Sequence, residues 1–510
     1  MKQFFSTRFN YLFRSTKGLA LVGIAMISLV TAIWGMLSGP MAEWGVRDVV
    51  VNLLNMELNP FEREGRIIML YHSISMTVVA IEVYFITDIV SMKKSQQTTI
   101  NAIVTFGYLF SLIFGMGFAY FGHNFAFHGL FIFGQSLMFF GGIMLSAALW
   151  PWKKETYIED KQVARTRKGL DLERAAFFAM AIATLGSVLF GAIPGSNFGN
   201  GFETFMAEDM IRVPEKTPMQ LAVIGHLHIM LTLIAVALTL IIGKWVGFKG
   251  ILHKIAMPMM ICGIIVITAG VWAVVPFEPI AHVIIYGGSV LVMMPALLLV
   301  IFTWDRQIRL GLQKKGIEKG NFFQKIAALV HDPLPFGATW QMVFMNFTVS
   351  GVGIFMAVRL DEIIRVWPAR EERITLTGHW HILSGIIATI MLFYFADLAG
   401  LKGKARKWFG WLIIIMSDLA FGAVTVFSLK RLFVSEISQQ PLVDTTIILG
   451  DIGLGTVLVI LAIFMIWRLQ DLFRQKGRWS EELDVYEQAE GRSIETLDEK
   501  TENNLSGREA

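Results

Sequence analysis

The sequence predicts an all-α integral membrane protein. Twelve transmembrane helices are expected, in three four-helix repeats with approximate three-fold pseudo-symmetry and both termini cytoplasmic. Composition, the spacing of apolar runs and the spacing of histidines carry this expectation. Of 510 residues, 55% are hydrophobic and 16% charged, the latter well below the roughly 25% of soluble domains. Mean hydropathy is +0.58. A soluble enzyme, a disordered chain and a nucleic-acid-binding module are thereby excluded, and no nucleic-acid partner is expected. The sole cysteine, Cys262, lies in an apolar run, which leaves no disulfide, thiolate metal site or covalently attached haem.

Apolar runs long enough to cross a hydrocarbon core about 30 Å thick begin near residues 18, 66, 99, 124, 172, 219, 252, 279, 339, 374, 408 and 445. The first, Gly18 to Ser38, exceeds a signal-peptide core and is kept as a helix. Lys and Arg gather at the N-terminus and in alternate connections, including 153–168, 306–325 and 402–407. With twelve spans all of these fall on one side, which the positive-inside rule makes cytoplasmic. The expected location is a plasma (inner) membrane, multi-pass. Residues 1–475 form the membrane domain. Residues 476–510 form an acidic tail, with 10 acidic and 3 basic side chains over 480–510, expected to be solvated and disordered.

The histidines carry the repeat. His72, His226 and His379 are spaced by 154 and 153 residues, and His128 and His282 by 154. Around them run Tyr71-His72-Ser73-Ile74, Gly225-His226-Leu227-His228 and Gly378-His379-Trp380-His381. The repeats are then about 1–160, 161–320 and 321–475, with the second, sixth and tenth spans equivalent. The histidines of the second, sixth and tenth spans fall near one depth, early in their spans.

Histidine within a bilayer is costly without a partner, so it marks function. In His226-x-His228 and His379-x-His381 the two rings point about 200° apart around the helix. One small ion does not easily take both from an unbroken helix, whereas two large planar cofactors, one on each side, do. Haem suits such imidazoles. His128 and His282 read either as supports or as ligands. His123 reads as a loop residue, and His253 and His331 as solvated cytoplasmic residues.

With Gly378-His379-Trp380-His381-Ile382-Leu383-Ser384 on its tenth span and a histidine early in its second, the chain resembles the haem-copper oxidase catalytic subunit. That superfamily includes the nitric oxide reductases. The resemblance implies that His72 and His381 hold a low-spin haem and that His379 holds a second haem. The family's copper site does not recur in its usual form. Leu227-His228-Ile229-Met230 follows His226, and the seventh span, Leu252 to Val275, carries no histidine pair. Repeat symmetry instead places His228 opposite His379, giving two bis-histidine haems, non-covalent and b-type. His226 and His282 are candidates for a modified metal site.

The expected function is electron transfer within a respiratory complex. It would run between a quinol or periplasmic cytochrome and partner redox subunits, in contact with membrane lipid. A terminal oxygen or nitric oxide reductase with an atypical second metal is the first alternative, so oxidoreductase activity stays open. A transporter with structural histidines is the second. Glu82 and Asp418 are candidate proton-relay residues, while Asp88, Asp397 and Asp451 read as span acids, the first two near helix ends. Arg212, Arg365, Arg370 and Arg373 are candidate partners for haem carboxylates.

Overall fold

The computed structural model describes residues 2–58, 63–196 and 215–474. Among them are sixteen α-helices and no strand, only the isolated bridges Glu57–His123 and Arg165–Asp171. The acidic tail and Arg212 lie outside the described residues. Ten helices are long and apolar enough to cross a membrane, and the chain is a multi-pass membrane protein. They are α2 (Thr16–Ser38), α4 (Arg63–Ile89), α5 (Lys94–Phe121), α6 (Phe125–Leu149), α7 (Leu172–Ser196), α8 (Pro218–Trp245), α9 (Ile251–Lys314), α13 (Ala369–Leu398), α14 (Gly403–Ser428) and α16 (Gln439–Phe473). The others are α1 (Lys2–Arg14), α3 (Val46–Leu53), α10 (Phe322–Leu329), α11 (Pro333–Val343), α12 (Ser350–Val358) and α15 (Lys430–Phe433).

Local chemistry explains where these helices start. Ser15, Asn124 and Thr217 cap α2, α6 and α8 by accepting first-turn N–H groups. At α8 the cap is a reciprocal box with Gln220, followed by Pro218 in the first helical position, where its missing N–H costs nothing.

The 64-residue α9 is bent. Phe277 leaves helical geometry at φ −146°, ψ 55°, between Pro276 and Pro279, whose rings and missing donors break the hydrogen-bond ladder. Its two arms then fold against each other. Gly263 packs on Leu291, Gly270 on Ile284 and Ile285, and Gly288 on Ile267. Partners that converge in number as the bend is approached are the signature of an antiparallel hairpin.

Between α10 and α13 the chain stays helical over Pro333–Val358, but α11 and α12 are separated by a π-helical stretch, Phe344–Val349. That interruption keeps each piece shorter than a membrane crossing.

The ends of the described chain meet. Arg8 donates from Nε to the Leu472 carbonyl at 2.9 Å, and Phe9 packs edge-on to Phe473. The start of α2 and the end of α16 are thus on one side of the bundle. That side is closed by polar ties. Arg174 donates to the carbonyls of Ser91 and Ala148, Lys244 pairs with Glu173 at 2.8 Å, and Trp245 donates to Asp397 at 2.7 Å.

His253 belongs to this cluster, which corrects the expectation that it is solvated. It is fully buried, its Nδ1 accepts the Ala164 N–H at 2.9 Å, and its Nε2 stands 3.7 Å from Glu173. The physical reason is that the connection 150–171 folds back over the helix ends, leaving a buried backbone donor in need of an acceptor. His331 is half-buried rather than free in solvent, with Nδ1 at 2.6 Å from the Ala328 carbonyl.

Candidate functional site

Three helices carry the repeated histidines: α4, α8 and α13. Each touches the other two. His72 of α4 stacks on His226 of α8, centroids 6.0 Å apart and planes within 11°. His228 of α8 meets Trp380 of α13 edge-on at 5.6 Å, and Tyr71 of α4 bonds His381 of α13 at 2.8 Å. Some four turns along the same helices, Tyr394 of α13 packs on Phe85 of α4 at 4.7 Å and on Trp245 of α8 at 5.6 Å. The triangle is therefore held at two levels. The histidines lie 8 to 12 residues into their helices, about 12–18 Å along the axis at 1.5 Å per residue.

Their ring nitrogens follow one pattern. His72, His228 and His381 each place Nδ1 at 2.8–2.9 Å from the carbonyl one turn back, of Ile68, Ile224 and Thr377. His226 does the same across helices, to the Ser187 carbonyl at 2.9 Å. A carbonyl only accepts, so Nδ1 carries the proton and Nε2 is left with its lone pair, which is how a ligating imidazole is held. For His381 that lone pair accepts the Tyr71 hydroxyl.

His72 is half-covered and His228 is accessible. His228 in particular is not sealed in a packed interface. His379 adjoins a separate small cavity of about 20 Å³, next to Val352, Met356, Thr375 and Ser428, about the room of one water-sized molecule. Its buried Nδ1 has no hydrogen bond of good geometry among the described residues. Gly191 matters on the other side, because a Cβ there would strike the His226 ring.

No protein-family model, characterised protein or solved structure matches the chain. The chemistry of the site is read from its own side chains.

The candidate residues have the following neighbours. His228 stands within electrostatic range of both His379 and His282. His226 faces His72 and Ser187, while His282 faces Tyr286 at 6.5 Å. Among the described residues no three His, Cys, Asp or Glu side chains converge as a metal site. His128 packs on His123 and Phe118, away from the other histidines.

The span acids separate by environment. Asp397 is bound by Trp245 and Arg406, and Asp88 accepts from Thr16 at 2.9 Å. Asp418 accepts from Trp340 and Gln341 at 2.8 and 2.7 Å. Glu82 alone of these acids is deeply buried, its Oε1 with no bond among the described residues. Arg365 is near Lys216, whose ammonium is held below the usual lysine range by burial first and by that guanidinium second.

Sequence reasoning gave no role to Tyr71, Trp380, Ser187 or Gly191. Tyr71, adjacent to His72, and Trp380, between His379 and His381, carried a signal that could have been followed.

Proposed function

We propose that the chain is a haem-binding redox subunit of a membrane complex, built like the haem-copper oxidase catalytic subunit. The observation that carries this reading is the combination at the α4–α8–α13 triangle. His72, His228 and His381 commit Nδ1 to carbonyls, so Nε2 is the nitrogen each would offer to iron, His381 in place of its Tyr71 bond, and none of the three rings is sealed in a packed interface. His72 and His381 would hold one haem, His379 and His228 a second. Two such groups supply one-electron transfer. The chain's own part is to fix the imidazoles through Ile68, Ile224 and Thr377 and to surround them with apolar helix, which tunes potential through burial.

Twelve crossings in three units of about 1–160, 161–320 and 321–475 belong to the same proposal. The two arms of α9 count separately, and Pro333–Val358 counts as one crossing. Ends that meet on one side of the bundle require an even number, which favours twelve over eleven.

Electron donor and acceptor follow as classes: a quinol or periplasmic cytochrome, and partner redox subunits. A second reading, reduction of a small molecule such as oxygen or nitric oxide at the His379 haem, is favoured by the water-sized cavity against that ring.

The test is a reduced-minus-oxidised spectrum of the purified chain with pyridine haemochrome and metal analysis, repeated under carbon monoxide. Two haems unchanged by carbon monoxide support the electron carrier. A carbon monoxide shift with a stoichiometric second metal supports the reductase. Colourless protein overturns both and favours transport.

A further inference from the structure

At the histidine end of the bundle, residues 40–53 do not cross the membrane and yet expose large apolar side chains. Trp44, Val49 and Leu53 are 77%, 65% and 80% exposed. α3 carries two of them and begins after Gly45, whose left-handed φ of 75° turns the chain. A short helix with outward apolar residues and a flanking tryptophan suits the headgroup–acyl boundary of a bilayer.

Beside this segment lies a cavity of about 260 Å³, next to Ser38, Arg47, Arg66 and Tyr120 with Ile67 and Leu70. Two guanidiniums and a phenol hydroxyl therefore share one space with apolar side chains. The Arg47 Nε is buried with no hydrogen bond among the described residues. The acidic side chains of the same segment, Glu43 and Asp48, are exposed and do not line the cavity. Ile67, 37% exposed, lines the cavity beside the arginines and opens it to the surface of α4.

Guanidinium recognises phosphate oxygens with paired N–H donors, and burial strengthens the contact. The cavity is several times the roughly 30 Å³ that a water occupies, enough for a phosphodiester group and more than a lone carboxylate fills. We propose that this cavity binds the phosphate of an anionic phospholipid through Arg47 and Arg66. The acyl chains would run along Ile67 and Leu70, under the apolar cover of residues 44–53. This site is independent of the haem reading. It acts as a lipid clamp that seats the 40–53 segment on the membrane surface.

The test uses full-length protein in detergent, with native mass spectrometry and thermal unfolding. Phosphatidylglycerol, phosphatidylcholine and inorganic phosphate are added separately. One phosphatidylglycerol per chain is expected, preferred over phosphatidylcholine on the order of tenfold, with a rise in unfolding midpoint. The double variant Arg47→Gln/Arg66→Gln loses the preference, and Arg47→Lys/Arg66→Lys, which keeps charge and folding, retains part of it. Equal phosphatidylglycerol binding by wild type and the Gln variant overturns the proposal. So does inorganic phosphate raising the midpoint as far as the lipid, since the occupant is then a soluble anion. Haem content, read in the same samples, stays constant. Its loss in the Gln variant would assign the arginines to haem carboxylates instead and overturn the lipid site.

Discussion

The Tyr71 hydroxyl donates to Nε2 of His381 at 2.8 Å, across 310 residues of sequence. On the far side of the ring Nδ1–H donates to the Thr377 carbonyl at 2.9 Å, which leaves Nε2 of a neutral ring to accept. His381 is thus oriented by its own helix and reached by the residue next to His72. This relationship joins the two histidines proposed to share a haem.

On that proposal, His72→Ala and His381→Ala each lower the haem content from two per chain to one. Tyr71→Phe keeps two, because Thr377 still orients His381. Pyridine haemochrome against protein concentration reads this. Two haems retained in both alanine variants would break the pairing.

His228→Ala removes one axial ligand of the second haem and leaves His379. A high-spin shift and new carbon monoxide binding are expected. An unchanged spectrum with altered oxygen or nitric oxide turnover would favour the reductase.

Gly191 lies against the His226 ring, with no space for a methyl group. Gly191→Ala should displace the ring and lose the Ser187 bond, destabilising by about 1–3 kcal/mol. The check is the thermal midpoint of the purified variant. A midpoint equal to wild type would mean that α7 and α8 separate freely here.

Arg406 bonds both Asp332, at 2.8 and 2.9 Å, and Asp397. All three are only partly covered, so water screens the pairs. Arg406→Ala is expected to cost about 1–3 kcal/mol, chiefly from Asp332 losing its donors, since Asp397 keeps Trp245. Arg406→Lys recovers part of this, since one ammonium does not reproduce a fork.

Asp171, just ahead of α7, accepts the N–H groups of Glu173 and Arg174. Burial raises its carboxyl above the ordinary aspartate value, partly opposed by Lys244. The folded state then holds its proton to higher pH than the unfolded chain. Stability from this group is full below the unfolded value and falls as pH rises through the raised folded one. Asp171→Asn keeps the cap and flattens that slope. Unfolding midpoints across mildly acidic pH compare the two.

Span starts were legible because a bilayer demands long apolar runs. Ten of the twelve expected starts, from 18 to 445, fall within two turns of the starts of the long apolar helices, and the histidine spacing led to the three helices that form the triangle. Other features depend on contacts between distant segments. His253 read as solvated because its own neighbours are basic, and only the fold-back of 150–171 buries it against Ala164. Apolar character says where a helix lies in lipid. It does not say which ring nitrogen meets which carbonyl, that His72 stacks on His226, or that Arg47 and Arg66 share a cavity. Those pairings are set by helix packing, in which directional polar groups find partners tens to hundreds of residues away.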